Sequence, residues 1–323
     1  MPFSRWLVYA LGGGLGHATR GLSLARAAAR RGHSVHVLVN TPLPDAALRA
    51  PGVTVEEVPQ RAGREGLERA LDARLSEAWS LCVVDTFPRG LMGELAPRFE
   101  ALPRARAWIH RDLTPAYAAR PEVLEAARGY ALALVPGLEE RALLAEAVGA
   151  RRTAPWLIRD AQELLSPEQA RARLGAREGQ RVVAVSLAGT EAESAEMAQL
   201  AQTLTATLGP DVAVRAASPS PRPGAVAHWP LLELLPGVDV LVGAGGYQTV
   251  NEARATGTSL VALARARLYD RQAERLRPEE RALDAADAAR RVETLLATRG
   301  PRAPSPDYLN GVHEAVAALE ALR

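Results

Sequence analysis

The sequence predicts an α/β protein built from two doubly wound parallel sheets with helices around them. The chain has 323 residues, more than one ordinary core needs, which suggests two domains of about 150 residues each. Short apolar runs alternate with alanine- and arginine-rich stretches of helical period, which is typical of a parallel sheet wrapped by helices. The alternation lapses near the middle of the chain and then resumes, which indicates a second domain of the same kind.

The first set of elements is predicted within residues 1–150. It opens with a strand over Arg5–Leu11 and a helix over Ala18–Arg31, which Gly32 ends as a left-handed stop. Further strands are predicted at Ser34–Val39, Leu81–Asp85, Ala105–His110 and Ala131–Val135, and helices at Gly90–Leu102 and Leu138–Val148. The mixed polar segment Gly149–Arg159 is predicted to be a linker between the domains.

The second set is predicted within residues 160–305. The predicted strands are Arg181–Leu187, Asp211–Ala216, Val238–Val242 and Ser259–Leu263, and the predicted helices are Glu191–Leu208, Gln248–Thr256 and Leu283–Thr298. The segment Ser218–Gly224 is rich in proline and serine and predicts a surface loop. A second break at Arg299–Pro306 precedes a last helix over Asp307–Leu322. The cleft between two such domains is the expected ligand site.

The composition excludes several classes of site. All 39 basic residues are arginine, which excludes a lysine-bearing phosphate loop and Schiff-base chemistry on a lysine. They are dispersed and nearly balanced by 37 acidic residues, so no nucleic-acid partner is expected. Cys82 is the single cysteine, which excludes disulfide frameworks, zinc ribbons and iron–sulfur sites.

The apolar runs are all too short to predict a membrane-spanning helix. The run Trp6–Ala10 turns into glycines and has no cleavage site, so it predicts a first strand better than a signal peptide. A cytoplasmic protein is therefore expected.

A glycine-rich loop, Gly12-Gly13-Gly14-Leu15-Gly16-His17, follows the first predicted strand. It is not a dinucleotide fingerprint, because no frame gives Gly-x-Gly-x-x-Gly and the second strand ends at Asn40 where an acid is required. Such a turn lets a substrate approach the backbone, and His17 could take a proton from it near neutral pH. Alternatively, the glycines only form a tight turn and His17 caps the helix.

Two further polar groups follow strands at the same edge of the first sheet. Asp85 ends its strand and either orients the imidazole of His17 or caps the turn. The triplet His110-Arg111-Asp112 ends the next strand and is a second, weaker candidate on this side. His33 and His36 are predicted to be structural.

A second glycine loop lies between a strand and a helix in the second domain. Gly245 and Gly246 leave the first amides of the helix free to bind an anion such as a diphosphate. Glu252 follows Gly246 by six residues, or about 9 Å, which suits the separation of a diphosphate from its ribose diol. Glu252 could also be a solvated helix acid. Asp270 and Gln272 follow the next strand and could bind sugar hydroxyls, or Asp270 could cap a helix.

These motifs, taken in order, resemble a known family. The chain has Trp229-Pro230, Gly245-Gly246, Thr249-Val250-Asn251-Glu252 and Asp270-Arg271-Gln272. This series resembles the nucleotide-sugar half of GT-B glycosyltransferases, the group with the MurG-type and UDP-glycosyltransferase enzymes. The loop ending in His17 is similar to the glycine-rich turn of that group. The resemblance covers about the first 40 residues and residues 225–275; Ser259 stands where the family usually has proline.

The resemblance implies that the second domain binds the donor, the first binds the acceptor, and helix 306–323 packs back on the first. Trp229 would then flank the base unless it only fills the core, Glu252 would hold the ribose, and His17 would face the acceptor. The implied donor contacts are Gly189, Thr190, Trp229, Gly245, Gly246, Tyr247, Gln248, Thr249, Glu252, Asp270 and Gln272, and Gly14 and Gly16 form the acceptor loop.

By this resemblance the chain is expected to be a metal-independent hexosyltransferase that uses a UDP- or dTDP-sugar and inverts with His17 as base and Asp85 beside it. No Asp-x-Asp occurs, so helix amides and arginines are expected to neutralise the diphosphate, with no cofactor. The expected partners are the donor and a small-molecule, glycan or lipid acceptor; contact with a membrane surface stays open. The alternatives are a sugar-nucleotide epimerase or hydrolase of the same fold and a non-catalytic nucleotide-sugar-binding protein.

Overall fold

The structure, a computed structural model, describes residues 4–48, 50–298 and 307–322. The described residues form two compact units. The first unit comprises the residues up to Ile158, the short segment Leu268–Asp270 and the residues from Asn310 onward. The second unit comprises Arg159–Arg267 and Arg271–Leu309.

The strands of the described residues all pair in parallel. In the first unit they are β1 Arg5–Tyr9, β2 Ser34–Val39, β3 Val53–Glu57, β4 Leu81–Asp85, β5 Arg106–Ile109, β6 Leu132–Pro136 and β7 Arg151–Thr153. In the second unit they are β8 Arg181–Ser186, β9 Val212–Ser218, β10 Ala225–Ala227, β11 Val240–Ala244, β12 Ser259–Leu263 and β13 Arg281–Ala282.

The α-helices lie between the strands along the chain, as the apolar alternation predicts. They are α1 Leu15–Arg30, α2 Gly63–Leu75, α3 Pro115–Ala118, α4 Pro121–Arg128, α5 Pro167–Arg173, α6 Glu191–Thr207, α7 Tyr247–Thr256, α8 Gln272–Arg275, α9 Ala285–Thr298 and α10 Val312–Glu320. No helix of the described ranges is long and apolar enough to cross a membrane.

The two sheets share one strand order. The first runs β3-β2-β1-β4-β5-β6-β7 and the second β10-β9-β8-β11-β12-β13, so each reverses direction beside its first strand. This is the doubly wound topology, in which ligands bind at the carboxyl ends of the strands near the reversal. The predicted fold class of two doubly wound Rossmann-like domains is confirmed.

The first sheet is buried on both faces because its strands are apolar throughout. Along β1, Trp6 and Val8 pack into the core on one face, and Leu7 and Tyr9 pack into the core on the other. The last helix, α10, packs within the first of these two cores, beside Trp6. The chain therefore returns to its first unit at its end, as the fold class implies.

Two predicted helices are wrong. Over Gly90–Leu102 the chain forms turns and a short 3-10 segment, because Gly90 and Gly93 take left-handed φ values of 86° and 84°. The buried carboxylate of Glu94 also accepts hydrogen bonds from the Tyr9 hydroxyl and the Met92 amide. Contacts from a distant strand thus decide the conformation of this loop.

Over Leu138–Val148 the chain forms turns rather than a helix. The Arg152 side chain donates hydrogen bonds to three backbone carbonyls of this stretch, at Gly137, Leu138 and Glu140, over 2.8–3.4 Å. The Leu144 amide donates to Nε2 of His110 at 2.9 Å. Side chains therefore satisfy backbone groups that a helix would satisfy internally.

Several short elements were not predicted, namely β3, β7, β10, β13, α2, α3, α4, α5 and α8. Strand β7 lies inside the segment predicted to be a linker, so that prediction is wrong for residues 151–153. The predicted break at Arg299–Pro306 lies outside the described residues.

Candidate functional site

The first glycine loop brings His17 onto the end of β4. His17 lies in the first turn of α1, and its Nδ1 is 2.6 Å from Oδ2 of Asp85. The Asp85 side chain is fully buried, whereas that of His17 is 21% exposed. Because an ionised carboxylate only accepts hydrogen bonds, Nδ1 carries the shared proton and Nε2 is left as the acceptor.

Asp85 is held by more than the histidine. Arg20, one turn along α1 and fully buried, donates from Nε to Oδ1 at 2.7 Å and from Nη2 to Oδ2 at 2.6 Å. Thr86 Oγ1 lies 3.2 Å from both Arg20 Nη2 and Asp85 Oδ2. Burial raises the pKa of Asp85, but the charge of Arg20 and the hydrogen bond with His17 lower it more. The net pKa lies well below the usual range, so Asp85 is ionised at neutral pH.

The glycine that this arrangement requires is Gly12. A Cβ built on Gly12 would lie 2.1 Å from Cδ2 of His17, so any side chain there would displace the imidazole. The Gly12 amide also donates to Oδ1 of Asn40 at 2.9 Å, which fixes the loop. By contrast, Gly14 and Gly16 have open space around their Cβ positions. Their predicted role in admitting a substrate stays a prediction.

The residue after Asp85 has a strained backbone. Thr86 has a φ of 64°, in the left-handed region that a β-branched residue rarely adopts. Its amide donates to the Ile109 carbonyl at 2.9 Å, and its carbonyl accepts from Trp108 Nε1 at 3.0 Å. These bonds hold the turn that presents the Asp85 carboxylate to α1.

An aromatic cluster lies beside the imidazole. Phe87 stacks with His17 at a centroid distance of 5.9 Å and meets Tyr117 and Tyr269 edge-on at 5.9 and 5.3 Å. Phe87 and Tyr117 are buried, and burial raises the pKa of Tyr117 to about 12. The His17 ring thus stacks with one member of an aromatic cluster.

The triplet at the end of β5 serves the local structure. His110 is buried, stacks on Trp108 at 4.3 Å, and its Nε2 accepts from the Leu144 amide. Burial lowers the pKa of His110 to about 3, so the ring is neutral. Arg111 pairs with Glu140 at 3.0 Å. The Glu140 carboxylate also accepts from the Asp112 amide.

The second glycine loop opens α7 without a side-chain cap. Gly246 is the N-cap residue and has no side chain, so it cannot satisfy the first amides of the helix. A Cβ on Gly245 would lie 3.2 Å from the Gln272 carbonyl, so glycine is needed for the close approach of α8. Arg275 Nη1 donates to the Gly245 carbonyl at 3.0 Å. Contacts to the loop backbone therefore hold the loop in place, and anion binding at the start of α7 stays a prediction.

The polar side chains of Gln248 and Glu252, one turn apart on α7, have no hydrogen-bond partner among the described residues. The Gln248 amide oxygen and nitrogen are both buried without a hydrogen-bond partner. The Glu252 residue is 7% exposed, and no hydrogen bond or ion pair reaches its carboxylate from the residues the structure describes. Burial raises the pKa of Glu252 to about 8. Such groups are costly in a folded protein unless a ligand satisfies them.

Tyr308 lies near Glu252. Its hydroxyl donates to the Arg159 carbonyl at 2.7 Å. Burial and the nearby Glu252 carboxylate raise the pKa of Tyr308 above its usual range. Tyr308 is therefore a neutral phenol at physiological pH.

Trp229 is half-buried next to a charged cluster. The Arg159 guanidinium lies 5.6 Å from the centre of its ring. Glu233 binds Arg159 at 2.5 Å and His228 Nε2 at 2.9 Å, and its pKa is lowered by these partners despite its burial. The contact with a base predicted for Trp229 stays a prediction.

The loop after β8 is capped internally. Thr190 is the N-cap of α6, and its amide donates to the Glu193 carboxylate at 2.9 Å. Arg267 binds Glu193 at 2.6 Å and, with the cap, lowers the pKa of that carboxylate to about 2. Gly189 has no room for a side chain because a Cβ would lie 2.8 Å from Glu193 Oε2. The phosphate contact predicted for Gly189 and Thr190 stays a prediction.

Asp270 and Gln272 have different surroundings. Asp270 belongs to the first unit, where its Oδ1 lies 4.0 Å from Arg111 Nη2. Gln272 is buried in the second unit, and its Oε1 accepts from the Arg265 amide at 3.0 Å. Tyr247 is buried and Thr249 half-buried on α7. Sugar and phosphate contacts for these residues stay predictions.

The sequence analysis missed Arg20 and Gly12. Arg20 follows His17 by three residues on a predicted helix, which places the two on one face and could have indicated the contact. The packing of Gly12 on the imidazole leaves no such signal. No cluster of three or more metal-ligating side chains occurs among residues 4–48, 50–298 and 307–322.

The chain resembles solved structures over its whole length. No protein-family model and no curated protein matches its sequence. The glycotransferase of kitacinnamycin is 18% identical, with a TM-score of 0.59 and all of both chains covered. The calicheamicin glycosyltransferase is 19% identical, with a TM-score of 0.56 and 100% of this chain and 94% of that one covered.

A third similar structure has a different activity in its name. A candidate UDP-N-acetylglucosamine 2-epimerase from Listeria monocytogenes is 12% identical, with a TM-score of 0.62 and 99% and 96% of the two chains covered. At these identities the likeness concerns the fold.

Proposed function

Since the chain has the GT-B fold, we propose that it is a metal-independent glycosyltransferase. It moves a sugar from a UDP- or dTDP-sugar to an acceptor nucleophile. The second unit binds the donor and the first binds the acceptor. Both glycosyltransferases named above carry small-molecule names, which makes small molecules the first acceptors to test.

The observation that carries this proposal is the buried Glu252 carboxylate with Gln248 one turn before it. Neither has a hydrogen-bond partner among the residues described, although the Gln248 amide atoms are buried and Glu252 is only 7% exposed. Two ribose hydroxyls would donate to Glu252 and favour its ionised form, whose oxygens accept both hydrogen bonds, and the Gln248 amide can donate to a sugar or phosphate oxygen. A nucleotide sugar would thus remove the desolvation cost that these groups carry without it.

The diphosphate of the donor would bind at the start of α7. Gly246 provides no side-chain cap, so the amides of Gln248 and Thr249 are the donors that an anion would bind there. The positive end of the helix favours the charge that develops on the leaving diphosphate.

His17 would act as the general base. Its Nδ1–H is held by Asp85, so Nε2 takes the proton of the acceptor nucleophile as that nucleophile bonds to the anomeric carbon of the donor sugar. The bond between that carbon and the diphosphate oxygen breaks, and the nucleoside diphosphate leaves. Asp85 stays ionised and stabilises the imidazolium that forms. Attack opposite the leaving group inverts the anomeric centre.

A donor screen followed by product analysis tests the proposal. UDP-, dTDP- and GDP-sugars are titrated calorimetrically, and the donor that binds is then incubated with and without small-molecule acceptors. Acceptor-dependent release of nucleoside diphosphate together with a glycosylated product supports transfer. A changed sugar nucleotide, or free sugar formed without acceptor, would instead identify the epimerase or hydrolase. Tight donor binding without any turnover would identify a binding protein.

A further inference from the structure

Arg20 is a fully buried cation beside the candidate base. Its side chain is fully buried and makes a two-pronged contact with a carboxylate that is itself fully buried. Asp85 Oδ2 is shared, because it lies 2.6 Å from both His17 Nδ1 and Arg20 Nη2. A base that needs only a carboxylate to orient it does not require a buried cation next to that carboxylate.

We propose that Arg20 is a positioning residue for the base: its guanidinium fixes the plane of Asp85 and takes up part of that carboxylate's charge. His17 is then held by an oriented but partly neutralised anion. This inference rests on the proposed function, because it concerns how His17 is prepared to accept a proton.

The geometry explains why an arginine is needed. The planar guanidinium binds both oxygens of Asp85 at once, so the carboxylate cannot rotate and Oδ2 stays directed at Nδ1. Arg20 Nη2 also reaches Thr86 Oγ1 at 3.2 Å and so supports the strained turn after β4. A lysine in its place would keep the charge but bind as a single point.

The electrostatic consequence concerns the resting state of His17. A buried carboxylate next to a histidine favours the imidazolium, which has no lone pair left to accept a proton. The positive charge of Arg20 opposes this effect. Removal of the Arg20 charge should therefore favour the imidazolium form of His17, which cannot act as a base.

Other titratable groups at this sheet edge are bonded to partners of their own. Tyr9, at the end of β1, binds Glu94, and the Leu91 amide donates to the same hydroxyl at 2.7 Å. After β5, His110 accepts from a backbone amide, and Arg111 pairs with Glu140. Tyr117 and Tyr269 each pack edge-on against Phe87, which stacks with the imidazole. The charges that act on Asp85 are those of Arg20 and His17.

The test compares Arg20→Met, which removes the charge, with Arg20→Lys, which keeps it. The His17 imidazole is followed by NMR in ligand-free protein as pH is varied, with His17→Gln to assign its signals. We expect the midpoint of the His17 titration to rise by about one pH unit in Arg20→Met. In Arg20→Lys it should stay close to that of the unchanged protein. Arg30→Met, at the exposed end of the same helix, is the control and should leave the midpoint unchanged.

Turnover gives the second readout. In Arg20→Met the midpoint of the acid limb of the pH–kcat/KM profile should shift to higher pH by as much as the NMR midpoint does. In Arg20→Lys, kcat should fall about tenfold at every pH with the donor KM unchanged, because one ammonium cannot hold both carboxylate oxygens. An unmoved NMR midpoint in folded Arg20→Met, or wild-type kcat in Arg20→Lys, would overturn the proposal.

The two measurements also separate this inference from the proposed function. If the unchanged protein shows no turnover with any donor, the NMR titration still decides whether Arg20 sets the protonation of His17. If Arg20→Met does not fold, the Arg20→Lys kinetics decide: a tenfold loss of kcat without a shift of the profile supports the proposal.

Discussion

Strands β4 and β11 hold the same place in the two strand orders, yet the buried carboxylates at and after their ends, Asp85 and Glu252, have opposite surroundings. Asp85 binds His17, Arg20 and Thr86, and its pKa lies below the usual range. Glu252 has no such partner among the residues described, and its pKa is raised to about 8. One site is complete as the chain folds, and the other has bonding capacity left for a ligand.

This difference arises from side chains and not from topology. Helix α1 supplies a cation, Arg20, that donates hydrogen bonds to Asp85. Helix α7 supplies the neutral amide of Gln248 one turn before Glu252. A proton-transfer site benefits from groups fixed in advance, and a binding site for a hydroxyl-rich ligand benefits from polar groups that only the ligand satisfies. The comparison therefore supports the proposal that the first loop carries chemistry and the second carries recognition.

The largest expected effect separates chemistry from recognition. His17→Ala should lower acceptor-dependent release of nucleoside diphosphate by roughly 10²–10⁴-fold, because the general base is lost. Donor affinity, measured by calorimetry, should stay within about twofold, since no recognition group is touched. His36→Ala is the matched control, because His36 lies on β2 and binds Glu56 at 2.8 Å. Full turnover in His17→Ala would remove the assigned base.

The next effect concerns the stability of the complete site. Asp85→Asn should lower the free energy of unfolding at pH 7 by about 3–5 kcal/mol, because it leaves the buried Arg20 charge unpaired. Since the folded-state pKa of Asp85 is depressed, its contribution is present above the ordinary carboxyl range and is lost as pH falls below it. Urea unfolding at a series of pH values checks both points. A variant as stable as the unchanged protein at pH 7 would refute the stabilising role of this pair.

The Glu252 site should change the free energy of unfolding with pH in the opposite direction. Folded Glu252 holds a proton that the unfolded chain releases between the ordinary pKa of 4.5 and about 8, so stability falls as pH rises through that window. Glu252→Gln removes this loss and should raise the free energy of unfolding at pH 8.5 by on the order of 2 kcal/mol. At pH 4 the two proteins should be equally stable.

A paired carboxylate of the same unit is the control for this reversal. Glu280 binds Arg254 at 2.7 Å and has a lowered pKa, so Glu280→Gln should destabilise the protein under the same conditions. Thermal unfolding from pH 4 to 9 follows both variants. Destabilisation by Glu252→Gln throughout this range would mean that the protein itself satisfies that carboxylate.

The smallest effect examines the third loop, at Gly189. Because Thr190 caps α6 together with Glu193, Thr190→Ala should lower the free energy of unfolding by about 1 kcal/mol. Donor affinity should change far less than in Glu252→Gln, since α6 already has an internal carboxylate at its start. Calorimetry with the same nucleotide measures this difference. An equal loss of affinity would extend the recognition site to this loop.

The sheets were predictable because strands buried on both faces read as continuous apolar runs. Ser34–Val39 and Ser259–Leu263 have the bounds that the sequence predicts. The helices predicted over 90–102 and 138–148 fail because Glu94 and Arg152 bond to backbone groups or side chains far along the chain. Such partners cannot be read from local periodicity.

The site was partly predictable for a related reason. His17, Asp85 and Glu252 each follow a strand or glycine loop, and sheet topology alone brings such positions to an edge. The bond between His17 and Asp85 could therefore be expected. Whether a carboxylate is paired or left without a partner depends on side-chain packing, so the contrast between Asp85 and Glu252 required the structure.

Calorimetric titration with a nucleoside diphosphate tests the central claim most directly. UDP, dTDP and GDP are titrated into the unchanged protein, and the tightest of them into Glu252→Gln at pH 7. The buried Glu252 carboxylate has no partner among the described residues, which predicts saturable binding to the unchanged protein and an affinity at least about tenfold weaker in the folded variant. Equal affinity in the two proteins would contradict the assignment of Glu252 to the ribose and, with it, the donor site on α7.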